Sequence, residues 1–152
     1  MNDNVFTTMS FELKVLGYDI PSNELSKYYL NGVFYLSDFV IYNQNVNLWP
    51  INSFAHFKKI NIGFFSVMES PSMISAIEVL IRNNIENLKG VEVVYFQNNI
   101  SVNILDSVLQ FQNLKELELS YFDYDTLPVR TKQMLLEHKS QGCIMTGIII
   151  PD

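Results

Sequence analysis

The chain has 152 residues, of which 48% are hydrophobic, 13% aromatic and only 17% charged, a composition that supports one sizeable core and excludes the disordered class. Ten basic residues face sixteen acidic ones, for a formal charge of -6 at pH 7. That balance opposes the phosphate neutralisation on which nucleic-acid binding rests and is repelled by anionic lipid, so the expected partner is a basic protein, with no nucleic acid and no membrane.

The N-terminal stretch MNDNVFTTMS has neither the basic start nor the apolar run of a secretory signal. No apolar segment approaches the roughly 20 residues of a spanning helix. Cys143 is the one cysteine, which leaves no internal disulfide and fits a reducing compartment. The expected location is the cytoplasm. Asn is abundant, at 16 residues, without forming a motif.

In chain order, FTTMSFEL from Phe6 and LSDFVIYN from Leu36 carry apolar residues at a common spacing and read as strands. Between them, Pro21 and Ser22 open a helix over NELSKYYL, with Ser22 as its cap. The stretch NQNVNLWPINSFAHF reads as a loop with one short helix, plugged by Trp49. FKKINIGFF at 57–65 is the next strand, and a helix from Ser72 follows, with Ile74, Ile77, Leu80, Ile81 and Ile85 at helical spacing. LKGVEVVYF at 88–96 is a strand. A helix capped by Ser101 carries Ile104, Leu105, Val108 and Leu109. LKELELSYF at 114–122 is a strand, Thr126 and Pro128 start a last helix that ends near Gly142, and a final strand begins near Ile144. The expected strand starts are thus Met9, Phe39, Ile60, Val91, Leu117 and Ile144.

The three central strand segments align with one another, and the first five starts are 30, 21, 31 and 26 residues apart, in the range of repeat architectures. Strands alternating with helices imply parallel pairing. Asn61, Glu92 and Glu118 each interrupt an apolar pair, so one sheet face is expected to be wet. The expectation is an α/β chain of one domain over 1–152, a parallel sheet with helices on a single face. The spacing Leu114, Leu117, Leu119 resembles the LxxLxL of leucine-rich repeats, and the helix in each repeat is similar to the ribonuclease-inhibitor type of that family. The family places Asn or Cys three residues further on; in this alignment Phe65, Phe96 and Phe122 stand there.

In the repeat frame the open face carries Ser10, Glu12, Asp38, Val40, Tyr42, Lys59, Asn61, Gly63, Gly90, Glu92, Val94, Glu116, Glu118 and Ser120, and the next turn adds Tyr121, Asp123, Tyr124 and Asp125. From these, Glu12, Asp38, Tyr42, Glu92, Glu116, Glu118, Tyr121, Asp123, Tyr124 and Asp125 are the expected partner-binding residues. Acids steer a basic partner and tyrosines supply buried anchoring area; the alternative is a solvated face that keeps an exposed sheet soluble.

No phosphate loop or HExxH motif occurs. Cys143, flanked by Ile144 and Met145, reads as a buried inert thiol. His56 and His138 lie in or beside helices, with no metal-ligating pattern between them. No catalytic residue, cofactor or metal is therefore expected. The recurring aromatics Phe64, Phe65, Tyr95, Phe96, Tyr121 and Phe122 read as core packing. The resemblance implies a non-catalytic inhibitor, most concretely a cytoplasmic immunity protein covering a basic toxin such as a nuclease. An adaptor or scaffold with a peptide or protein partner is the alternative.

Overall fold

A computed structural model describes residues 4–43, 45–63 and 71–151. It is a mixed α/β chain with a six-stranded sheet in the order β1-β2-β3-β4-β5-β6. Each strand lies beside its predecessor. β1 (Tyr29–Leu30) and β2 (Val33–Tyr35) form an antiparallel hairpin, and β3 (Lys59–Asn61), β4 (Val93–Tyr95), β5 (Glu116–Glu118) and β6 (Ile144–Thr146) add to β2 in parallel. The helices are α1 (Asn4–Val15), α2 (Ser22–Leu25), α3 (Leu36–Tyr42), α4 (Pro71–Asn83), α5 (Val102–Val108) and α6 (Val129–Ser140), with 3₁₀ turns at Ser26–Tyr28, Val46–Leu48, Asn52–His56 and Tyr124–Thr126.

The hydrogen-bond register fixes which residues share a face. Phe34, Ile60, Val94 and Leu117 stand level on neighbouring strands and all four are fully buried. One position on, Tyr35, Asn61, Tyr95, Glu118 and Thr146 form a row on the opposite face. Lys59, Val93, Glu116 and Ile144 form a second row there. This side of the sheet carries exposed Lys59, Ile144 and Thr146 and half-buried Tyr95, Glu116 and Glu118. The wet face expected from Asn61 and Glu118 is present, although Asn61 itself is only 6% exposed.

The buried apolar side chains form one cluster. Its N-terminal part is aromatic: Phe34 and Phe57 stack with centroids 4.1 Å apart, and Phe39 and Phe54 pack around them.

Four expectations need correction. The segments around Met9 and Phe39 are helices, not strands. Phe6, Met9 and Leu13 are buried at three- and four-residue steps along α1, as are Leu36, Phe39 and Val40 along α3, so a 3.6-residue period describes these apolar sets and the exposed Phe11 falls outside them. The expected helix over NELSKYYL stops at Tyr28 because Tyr29 begins the hairpin; its two-residue turn, Asn31-Gly32, has φ of 53° and 82°, the left-handed pair that a type I′ hairpin demands and that Asn and Gly tolerate best. Ser22 makes no side-chain cap, the N-cap position being Pro21. The strand after α4 lies three residues later than the alignment had it. Val94, not Val91, stands beside Ile60 and Leu117.

The later helices follow expectation more closely. Ile104 N–H donates to the Ser101 hydroxyl at the start of α5, and Pro128 precedes α6. The stretch 43–57 holds two short 3₁₀ turns rather than one. No helix among the described residues is long and apolar enough to cross a membrane.

Candidate interaction face

The shift of β4 changes the company of every residue read from that strand. Glu92 lies just before β4, level with Lys58 and Lys115: its N–H donates to Lys58 O and its carbonyl accepts from Lys115 N. Its carboxylate meets Lys115 Nζ at 2.7 Å. That hydrogen bond holds the Glu92 carboxyl below its usual range, with the positive charges of Lys115, Lys58 and Lys59 adding to the effect. The expected sum of Glu92 with Glu116 and Glu118 into one negative patch is therefore corrected: Glu92 belongs to a basic edge. Val94 is buried rather than open, and Gly90 precedes the strand.

The residues read from the first two segments leave the sheet altogether. Ser10 lies in α1, where its hydroxyl donates to Ile20 O. Glu12, also in α1, accepts from Asn52 N at 2.6 Å, Ser53 N at 3.0 Å and Ser53 Oγ at 2.8 Å. It holds the first turn of the 3₁₀ helix Asn52–His56, where free N–H groups favour a carboxylate. Asp38, Val40 and Tyr42 lie on α3, not on a strand: Val40 is buried, Tyr42 is exposed, and burial raises the Asp38 pKa. Tyr124, the expected anchor, is 9% exposed and has Lys132 Nζ 5.4 Å from its ring centroid, so it belongs to the core.

Glu116, Glu118, Tyr121, Asp123 and Asp125 do come together, on β5 and the turn after it. Tyr121 is 49% exposed. Asp123 accepts from Asp125 N at 3.2 Å and caps the 3₁₀ turn there. Among the described residues no Lys, Arg or His side chain bridges any of the four carboxylates, whereas Glu24, Glu78, Glu86 and Glu92 each have a cation.

Two concavities adjoin this group. One, of about 260 Å³, is lined by Asn61, Tyr95, Gln97, Glu118, Ser120 and Tyr121. The other, of about 580 Å³, sets Asp123 and Asp125 against Ile148, Ile149 and Pro151. Gly147 joins them: it lines the second and lies so close to Ser120 of the first that a Cβ would collide with Ser120 Oγ.

The sequence reading put Tyr95 with the core aromatics and did not single out Gln97; both line the face, while Phe96 and Phe122 do pack edge to face with centroids 5.4 Å apart. Phe64 and Phe65 lie outside the described residues. The signal that locates Tyr95 is the spacing Val91, Val94, Phe96, Asn99, which repeats Leu114, Leu117, Leu119 and puts Asn, not Phe96, three residues beyond the last apolar position. Asn99 is fully buried, donating to Ile62 O at 2.7 Å and accepting from Ser101 N at 2.9 Å.

Of the groups weighed for chemistry, Cys143 is 6% exposed, and burial, helped by the charge of Glu116, pushes its thiol up to about 11. The nucleophilic thiolate is thus scarce at neutral pH. His138 Nε2 bonds Leu109 O at 2.6 Å, and His56 is exposed beside α1. Trp49 is 40% exposed next to exposed Leu48. No family model, curated protein or solved structure matches this chain.

Proposed function

We propose that this chain is a non-catalytic binding protein of the leucine-rich-repeat kind, whose helices cover one side of the sheet and whose open side takes a basic protein partner. We take its role to be that of a cytoplasmic immunity protein that neutralises a cationic toxin such as a nuclease. The repeat reading is supported by sequential parallel strands at intervals of 26, 34, 23 and 28 residues from Phe34 through Met145, by LxxLxL-like spacing on β4 and β5, and by Asn99 at the position where that pattern uses Asn to bond the turn.

The observation that carries the functional reading is that Glu118, Asp123 and Asp125 line two adjoining concavities with Tyr95 and Tyr121 beside them, and that no cation among the described residues bridges these carboxylates or Glu116. Unpaired carboxylates attract a basic partner from solution, and tyrosines contribute contact area at low entropic cost. The toxin step is analogy with inhibitors of similar architecture.

Expressing the product of the gene immediately upstream, alone and together with this chain, tests it. The reading expects the upstream product to arrest growth by itself and to be tolerated in the chain's presence, with a stoichiometric complex on purification. A harmless upstream product that forms no complex would contradict the immunity role and favour the adaptor alternative.

A further inference from the structure

The smaller concavity on the open face has a more specific chemistry than a negative surface. Tyr95 and Glu118 are register partners on β4 and β5, and Asn61 is the partner of Tyr95 on β3. Asn61 forms a rigid floor: its Oδ1 accepts from Gly63 N at 2.8 Å and its Nδ2 donates to Gln97 Oε1 at 3.1 Å, which also fixes Gln97. Glu118 is held on the opposite side, Oε1 accepting from Ser120 N at 2.5 Å and Oε2 from Thr146 Oγ1 at 3.4 Å. These bonds orient the carboxylate and leave its charge uncompensated, since no cation among the described residues bridges it.

A volume of about 260 Å³ is below the range of small-molecule sites, roughly 300–1,000 Å³, and suits a single side-chain head group. A carboxylate flanked by tyrosines selects a cation by charge and by the negative faces of the rings. An anion is repelled, and a neutral amide leaves the carboxylate without a charge partner. A planar guanidinium combines stacking with a forked hydrogen bond, whereas an ammonium acts as a compact, strongly hydrated point charge.

We propose that the notch between Tyr95, Glu118 and Tyr121 is the subsite for one arginine side chain of the partner. This rests on the binding-face reading above and adds the identity of the anchoring group.

The test is an amide NMR titration of the intact chain with ethylguanidinium, n-butylammonium and the neutral isostere ethylurea. Saturable shifts in the millimolar range, as befits so small a ligand, are expected from ethylguanidinium at Tyr95, Glu118, Ser120 and Tyr121, with ethylurea silent. Glu118→Gln keeps the acceptor for Ser120 N–H while removing the charge, and Tyr121→Leu alters an exposed side chain; each should weaken guanidinium binding about tenfold or more and leave distant resonances in place. Equal shifts from ethylurea, guanidinium shifts that miss the notch, or an unaffected Glu118→Gln variant would overturn the proposal. Equal binding of n-butylammonium would overturn the arginine assignment. The two readings fail distinguishably: a partner that docks on the face while ethylguanidinium leaves the notch unmoved refutes the subsite alone, and a guanidinium-binding notch on a face whose neutralisation does not affect the partner refutes the face and, with it, the assignment of the notch to the partner's arginine.

Discussion

Asn84 is fully buried and uses its whole amide: Oδ1 accepts from Ile51 N at 2.7 Å and Asn87 Nδ2 at 3.1 Å, while Nδ2 donates to Trp49 O at 3.1 Å and Leu80 O at 2.9 Å. It ties the irregular stretch around Trp49 to the end of α4. A buried backbone group left without a partner costs about 1–3 kcal/mol. Asn84→Ala is therefore expected to lower stability by about 2 kcal/mol or more in chemical denaturation; a loss under about 0.5 kcal/mol would mean that the amide is dispensable to the loop. Asn99 works similarly between Ile62 O and Ser101 N, and among the described residues Asn31, Asn45 and Asn98 are the non-glycine ones with positive φ. The abundance of Asn that carried no message in the sequence thus has a structural use in part, as left-handed turn residues and as buried bonds to irregular backbone. These roles are illegible in one sequence because each depends on a carbonyl or N–H tens of residues away.

At the scale of elements, α4 and α5 are readable because each presents several apolar residues at helical spacing, and α6 because Pro128 opens it and Gly142 follows its end. α1 and α3 were misread because three apolar residues in a short window satisfy a strand-like alignment to other segments as well as a helical one. The hairpin is legible in Asn31-Gly32 between Tyr-rich flanks, but the expected helix over NELSKYYL covers its first strand, Tyr29–Leu30. Leu88 resembles Leu114 by residue type, but Val91 holds that place in the ladder, three residues later. Leu117 and Leu119 stand where expected, fully buried. Leu117→Ala and Leu119→Ala should each destabilise by about 2–5 kcal/mol, as core truncations do, while Glu118→Gln on the opposite face should stay within about 0.5 kcal/mol. Denaturation midpoints that rank Glu118→Gln with the leucines would invert the assignment of faces.

For the whole molecule, the formal charge of -6 is less informative than where it is left uncompensated. Lys58, Lys59 and Lys115 gather at the start of the strands around Glu92, Glu116 stands level with Lys59 two strands away, and Glu118, Asp123 and Asp125 follow at the other end of β5 and in the turn beyond. The surface we propose for a partner is therefore smaller than the sequence suggests, Glu116, Glu118, Tyr121, Asp123 and Asp125, with Tyr95 and Gln97 added. Charges placed so act on encounter, over distances of about 10 Å at 0.1 M salt, more than on dissociation. Stopped-flow association of the chain with the purified basic partner proposed for it, across a range of ionic strength, tests this most directly, comparing wild type with the variant Glu116→Gln, Glu118→Gln, Asp123→Asn and Asp125→Asn. The variant should associate about tenfold or more slowly at low salt, with a flattened salt dependence and a dissociation rate that changes far less. An association rate equal to that of the wild type at every salt concentration would contradict the account and leave this face merely solvated.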